Sequence, residues 1–385
     1  MESIYLDHNA TTPLDPRVRA RMEQLLSADL GNASSVHAWG RLARGEIDLA
    51  RDEVAALLGA RPGEIVFTGG GTESDNLGVI GMALAHGSKG KHLITSPVEH
   101  HAVLHAVEYL GRFHGWEISY LPVDSFGQVD PEALRALIRP DTALVSVMSA
   151  NNETGTRQPV LVLSEICRDH GVLFHTDAIQ SVGKERVNVK QWPVSALSLC
   201  AHKFYGPPGV GVLFLREGTP VQRLHHGGFH ENERRPGTEN AVGIVGLAEA
   251  LKRAQAEGPE TDERLRPVVE QIWEGLSGRL MGVVRNGHPV DRLGNTLNVS
   301  IEGCHGESLL MGLDLEGLGV SSGSACMVGS VQPSHVLLAM GVKPELAASA
   351  VRFSLGKSNS AEQVAEIVER VVRTVERQRK TVKTR

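Results

Sequence analysis

Residues 197–211 read LSLCAHKFYGPPGVG. An apolar run of strand character passes straight into a histidine and a lysine, halts at two prolines, and resumes as GVGVLFL (209–215). A lysine is costly to bury without a partner, so Lys203 at a strand's end is either solvated surface or placed chemistry. On either side of it, short β-rich runs alternate with helical patterns: EIVFT (64–68), HLIT (92–95), TALVSVM (142–148), GVLFHT (171–176) and ALSLC (196–200). That alternation predicts an α/β fold with a mostly parallel central sheet and helices on both faces. Asp15-Pro16 and Asp130-Pro131 each set a capping carboxylate before a proline at the first helical position.

A chain of 385 residues, 41% of them hydrophobic, is long enough for two domains. The composition turns polar at PETDERLRP (259–267), and a new strand-like run, NTLNVSI (295–301), follows. The expected division is therefore a large domain over 13–260 and a small one built from 1–12 and 261–385. The small one ends in a helix whose Val364, Ile367, Val368, Val371, Val372 and Val375 keep helical spacing. Lys and Arg total 39 against 45 Asp and Glu, a net charge of −6, which argues against nucleic acid as a partner. MESIYLDHNATTP lacks the pattern of a signal peptide, and no apolar run is long enough for a bilayer, so the expectation is a cytoplasmic protein without a membrane partner. Cys167, Cys200, Cys304 and Cys326 form no CxxC pair, and whichever of them matters should matter as a thiol.

In parallel sheets ligands gather beyond the carboxyl ends of the strands. After EIVFT comes Gly69-Gly70-Gly71-Thr72 and then a helical stretch, so bare amides and a hydroxyl meet a helix start, as a phosphate cradle requires. The same glycines equally serve a plain turn. After GVLFHT comes Asp177, which can cap a following helix or hold a protonated ring nitrogen. After ALSLC come His202 and Lys203, and a lysine in a protected site can form a Schiff base with an aldehyde. Cradle, carboxylate and lysine on three strand ends together make a constellation for pyridoxal 5′-phosphate.

The segments YLDHNATTP (5–13), GNASSVH (31–37), GTESDN (71–76), EHHAV (99–103), SANNETGT (149–156), HTDAIQSVGK (175–184), SLCAHK (198–203), RRPGTEN (234–240), SSGSAC (321–326) and VRFSLGK (351–357) resemble the NifS/IscS cysteine desulfurases, and more closely the NifS branch. That resemblance implies the fold type I of class V aminotransferases and the conversion of L-cysteine to L-alanine. By it, Lys203 carries the coenzyme, Asp177 pairs with the ring nitrogen, Gln180 bonds the phenolic oxygen, and His100 stacks on the ring and moves protons. Gly71, Thr72, Cys200 and His202 hold the phosphate, with Thr238 reaching the phosphate of the other subunit in a homodimer with shared active sites. Asn152, which also belongs to the coenzyme set, and Arg352 bind the substrate carboxylate, and Asn32 lies close by. Cys326 takes the sulfur as a persulfide and passes it to an iron–sulfur scaffold protein. The chain departs from the family pattern at Pro208, Asn232 and Met327.

Two other readings stand beside this one. Within the same fold, a selenocysteine lyase or another sulfur lyase needs most of the same residues. From a different class, a metallohydrolase would use His101 with His105 or His226 with His230, each pair four apart, although neither forms HExxH. No metal ligand is expected on balance, and Lys184 in SVGKE is expected to be solvated.

Overall fold

Strands covered on both faces must be apolar along their length, and the runs flanking Lys203 have that character. The structure, a computed structural model, describes residues 2–322 and 333–383. Its first strands are β1 (Ile4–Tyr5), β2 (Ile65–Thr68), β3 (His92–Thr95), β4 (Glu117–Tyr120), β5 (Thr142–Ser146) and β6 (Leu173–Asp177). They are followed by β7 (Ala196–Cys200), β8 (Gly211–Leu215), β9 (Val283–Asn286), β10 (Thr296–Ile301), β11 (Leu318–Gly319) and β12 (Ala350–Ser354). The strands β2 to β8 form one sheet in the order β2-β8-β7-β6-β5-β3-β4. Only β8 runs against its neighbours β2 and β7; the other pairs are parallel. The hairpin between β7 and β8 thus holds the opening stretch, with Lys203 at the turn. Each sequence run appears as a strand, whereas β4 was not foreseen, because EISY is short, half-polar and half-exposed at the sheet edge.

The helices are α1 (Pro16–Leu26), α2 (Ala38–Leu58), α3 (Gly71–Asn76), α4 (Met82–His86), α5 (His101–His114), α6 (Pro131–Leu137), α7 (Val160–Asp169) and α8 (Ala241–Arg279). They continue with α9 (Gly306–Leu315), α10 (His335–Ala339), α11 (Pro344–Ala347) and α12 (Val364–Lys383). Both foreseen caps form: Asp15 accepts from the Arg17 amide and Asp130 from the Glu132 amide, each at 2.9 Å. α3 runs through a wide turn at Leu77–Gly81 directly into α4.

The polar stretch at 259–267 is not a linker. It lies inside α8, a helix of 39 residues that carries Pro259 and Pro267, so the position expected to divide the chain is a helical rod shared by two cores. Ile244, Leu247 and Leu251 of α8 pack into the core around the large sheet. Leu265, Val269, Ile272 and Leu276 pack into a second core with β10, β12 and α12. Gly258 permits a close passage between them, since a Cβ there would sit 2.1 Å from the Gly183 carbonyl oxygen. The second core includes the β12-β10-β9 sheet and, from the other end of the chain, Ile4 and Leu6. From β1 the chain crosses to the turn after β7, where the Thr12 amide and hydroxyl both donate to the His202 carbonyl at 2.9 Å.

Candidate active site

The ends of β2, β6 and β7 meet β12 around a cavity of about 340 Å³. At the end of β2, Gly70 has φ of 150°, a conformation that only glycine takes readily. A Cβ on Gly71 would lie 2.3 Å from Ile179 Cδ1 and 3.6 Å from Cys200 Sγ. The floor of the cavity is therefore bare backbone at a helix start, where the first amides have no intrahelical acceptor. Burial pushes the Cys200 thiol up to about 12, so it stays protonated and is at best a weak donor to the cradle.

At the end of β6, Asp177 is buried, and its carboxylate accepts from the Ile179 amide at 2.9 Å. No helix follows; residues 178–181 turn back on themselves. Burial raises the Asp177 carboxyl to about 6, with the Lys203 charge opposing the rise. An oppositely charged ring placed against it would return it to the ionised form. Asp75, also buried, lines the same cavity, and its carboxylate lies 3.7 Å from His175 Nε2.

At the end of β7, Lys203 is half-buried, and its Nζ donates to the carbonyls of Asn9 and Ala10 at 2.7 Å each. Burial holds its pKa below the ordinary lysine value. The turn beyond it is tied down at Tyr205, which has φ of 66° and donates its amide to Thr12 Oγ1 at 2.6 Å. His202, whose Nδ1 is 3.2 Å from Thr11 Oγ1, is lowered to about 4, chiefly by burial.

His100 caps α5, its Nδ1 accepting from the Ala102 amide at 3.1 Å, which leaves Nε2 to carry the proton of the neutral ring. The ring has accessible surface because it faces the open cavity, while the protein around it and the nearby Lys203 charge lower it to about 4. Arg352 on β12 donates to Asp7 Oδ1 at 2.6 Å and to the Asn152 carbonyl at 3.0 Å.

Ten of the residues singled out in the sequence thus line one cavity: Gly71, Thr72, His100, Asn152, Asp177, Gln180, Cys200, His202, Lys203 and Arg352. Two do not. Asn32 lies in the loop between α1 and α2, where its side chain accepts from the Ser34 amide at 2.9 Å, and Thr238 is exposed just before α8. Cys326 and Met327 lie outside the described residues. The sequence reading missed Asn9, Asp75 and Glu153 in the lining; the polar run DHN directly after the apolar IYL was the available signal for the first. Lys184 is not solvated as expected: its amine bonds Gln180, and burial lowers it to about 8. The rings of His101 and His105 stack at 4.9 Å, and among the described residues no group of three His, Cys, Asp or Glu side chains is placed to hold a metal ion.

The family model for class-V aminotransferases matches residues 4–367. The chain belongs to this family. Its relatives include the cysteine desulfurase IscS of Dictyoglomus turgidum, 46% identical over 96% of this chain and 94% of that one. The cysteine desulfurase IscS of Methanosarcina thermophila is 44% identical over 98% of this chain and 93% of that one. A solved NifS-like protein superposes with a TM-score of 0.91 at 37% identity, covering 97% of this chain and 99% of that one. A NifS-like protein from Rickettsia africae gives 0.86 at 30%, covering 97% and 100%. Within the class-V aminotransferases, the chain is thus a member of the cysteine desulfurase family. The coenzyme of the family is pyridoxal 5′-phosphate, and the cavity of this class-V enzyme fits it. Lys203 would supply an amine for the aldehyde and Asp177 a carboxylate for the ring nitrogen, beside the bare backbone at Gly71, where a Cβ would meet Ile179.

Proposed function

We propose that the chain is a cysteine desulfurase in which Lys203, Asp177, His100 and Arg352 act on L-cysteine inside the single cavity that they line. The observation that carries this reading is their convergence: three come from loops at the carboxyl edge of the large sheet, and Arg352 comes from the second core. When bound, pyridoxal 5′-phosphate draws electrons from the substrate Cα and makes its proton easier to remove. Arg352 receives the substrate carboxylate, a planar task suited to guanidinium, and Asp7 and the Asn152 carbonyl hold it in place. The Lys203 amine, with its lowered proton affinity, takes the Cα proton and returns it. His100, neutral and protonated on Nε2, moves a second proton between substrate and solvent.

Cys326, in SSGSAC (321–326), receives the sulfur. Its thiolate attacks the sulfur of the substrate, the carbon–sulfur bond breaks, and a persulfide and L-alanine result. The acceptor beyond it is a protein on which iron–sulfur clusters are assembled, a reading supported by the IscS names of the relatives. The working unit is a homodimer in the cytoplasm. Its support is Trp39, Leu42 and Leu49, exposed on one face of α2 for a second copy to cover, and Thr238, which would then enter the partner's cavity. Among the described residues no helix is long and apolar enough to cross a membrane.

Borohydride reduction of the yellow protein followed by peptide mapping tests the reading, with the coenzyme expected on Lys203. Incubation with L-cysteine and a thiol reductant is expected to give alanine and sulfide in equal amounts. Attachment to another lysine, or alanine without sulfide, overturns it.

A further inference from the structure

Lys184 follows Gln180 by four residues, and its amine donates to the Gln180 main-chain carbonyl and to the side-chain Oε1, each at 2.9 Å. Both hydrogen bonds of this half-buried ammonium go to one residue, and one of them fixes its side-chain amide. The chemistry of the two groups fixes which way that amide lies. Lysine has three donors and no acceptor, so the end of Gln180 facing it is the oxygen. The other end, Nε2, donates to the Asn9 carbonyl at 3.0 Å, and its second hydrogen is left for the cavity that Gln180 lines.

We propose that Lys184 is a positioning residue that holds the Gln180 side chain with its amide N–H presented to the coenzyme. This rests on the reading of Gln180 as a contact of the coenzyme's phenolic oxygen. The surroundings of Lys184 agree with such a role: burial lowers its proton affinity, Asp262 and Glu185 restore part of it, and Lys203 and Arg352 oppose them. The amine keeps enough positive character to hold two acceptors, yet no carboxylate captures it. The same Asn9 carbonyl also accepts from Lys203, so the orientation of Gln180 is linked to the amine that carries the coenzyme.

A double-mutant cycle on the coenzyme-loaded protein tests this. Lys184→Met keeps the length of the side chain and removes its donors. It is expected to weaken pyridoxal 5′-phosphate binding about 3- to 10-fold, as the loss of one oriented hydrogen bond does, and to move the pH midpoint of the bound coenzyme's absorbance band. In a Gln180→Ala background the same substitution is expected to change neither quantity further. Lys184→Gln, which retains an N–H donor, is expected to recover part of the loss, and it serves as the second variant if Lys184→Met folds poorly by circular dichroism. Equal effects of Lys184→Met in both backgrounds, or no effect in either, overturn the proposal while desulfuration of L-cysteine by the parent protein leaves the functional reading intact. A parent protein that binds no coenzyme overturns both.

Discussion

Lys203 and Gln180 share one acceptor: the carbonyl oxygen of Asn9 takes a hydrogen bond from the lysine amine at 2.7 Å and from the glutamine amide at 3.0 Å. Two strand-end loops of the large sheet are thereby registered against a residue 194 and 171 positions earlier. Asn9 is itself held by the second core, donating Nδ2 to Thr296 Oγ1 at 2.9 Å and accepting at Oδ1 from Asn295 at 3.0 Å. The site is assembled where the two cores touch, not on either alone.

Asn9→Ala removes these buried side-chain bonds and frees the carbonyl to shift. Because Asn9 is 1% exposed, the stranded partners are costly, and a loss of about 1–3 kcal/mol in unfolding free energy is expected. Denaturant titration checks the stability, and turnover of L-cysteine is expected to fall with it, in kcat more than in KM, since the reacting amine loses its registration.

Arg352→Lys keeps the charge and discards the planar fork. With Asp7 at 2.6 Å on one arm of the guanidinium and the Asn152 carbonyl at 3.0 Å on the other, a single ammonium cannot hold both partners in that geometry and still meet a carboxylate. A drop of roughly 10- to 100-fold in kcat/KM for L-cysteine, carried mainly by KM, is expected from the loss of a charged hydrogen bond. Steady-state kinetics at saturating coenzyme measure it.

Cys326→Ser tests the proposed sulfur acceptor. The expected variant retains its coenzyme colour and its Lys203 attachment, and it loses desulfuration. Sulfide release at the parent rate would remove Cys326 from the mechanism.

Much of this was legible in the sequence because the alternating strands reveal their carboxyl ends, and the chemistry sits there. Gly71, Asp177 and Lys203 each follow a readable strand. The parts that escaped depend on contacts across long separations. Asn9 gives no local signal of the carbonyl it offers to Lys203, and Lys184 reads as a surface lysine until the turn at 178–181 folds it back onto Gln180. The polar stretch at 259–267 hid the continuity of α8 for another reason: the middle of a long helix bridging two cores belongs fully to neither. Asn32 and Thr238 lie off the cavity in loops that one chain alone does not bring to it.

Glu99 is fully buried one residue before His100 and accepts from the Ser96 hydroxyl at 2.6 Å and the Met148 amide at 3.0 Å. These bonds favour the ionised form, but burial outweighs them and raises the carboxyl from 4.5 to about 8. The folded protein therefore keeps this proton over a range in which the unfolded chain has released it. The stability contributed by Glu99 is complete below about pH 4.5 and is lost as pH rises through about 8. His8, which is buried, and His100, at the open cavity, both lowered to about 4, act in the opposite sense as pH falls below about 6.5. Comparing the parent with Glu99→Gln separates the two, because the amide cannot titrate. Between about pH 5 and pH 8 the parent is expected to lose stability relative to the variant, measured by urea unfolding at each pH. Parallel curves for the two proteins would mean that Glu99 is ionised in the fold, held by Ser96 and Met148 against the cost of burial.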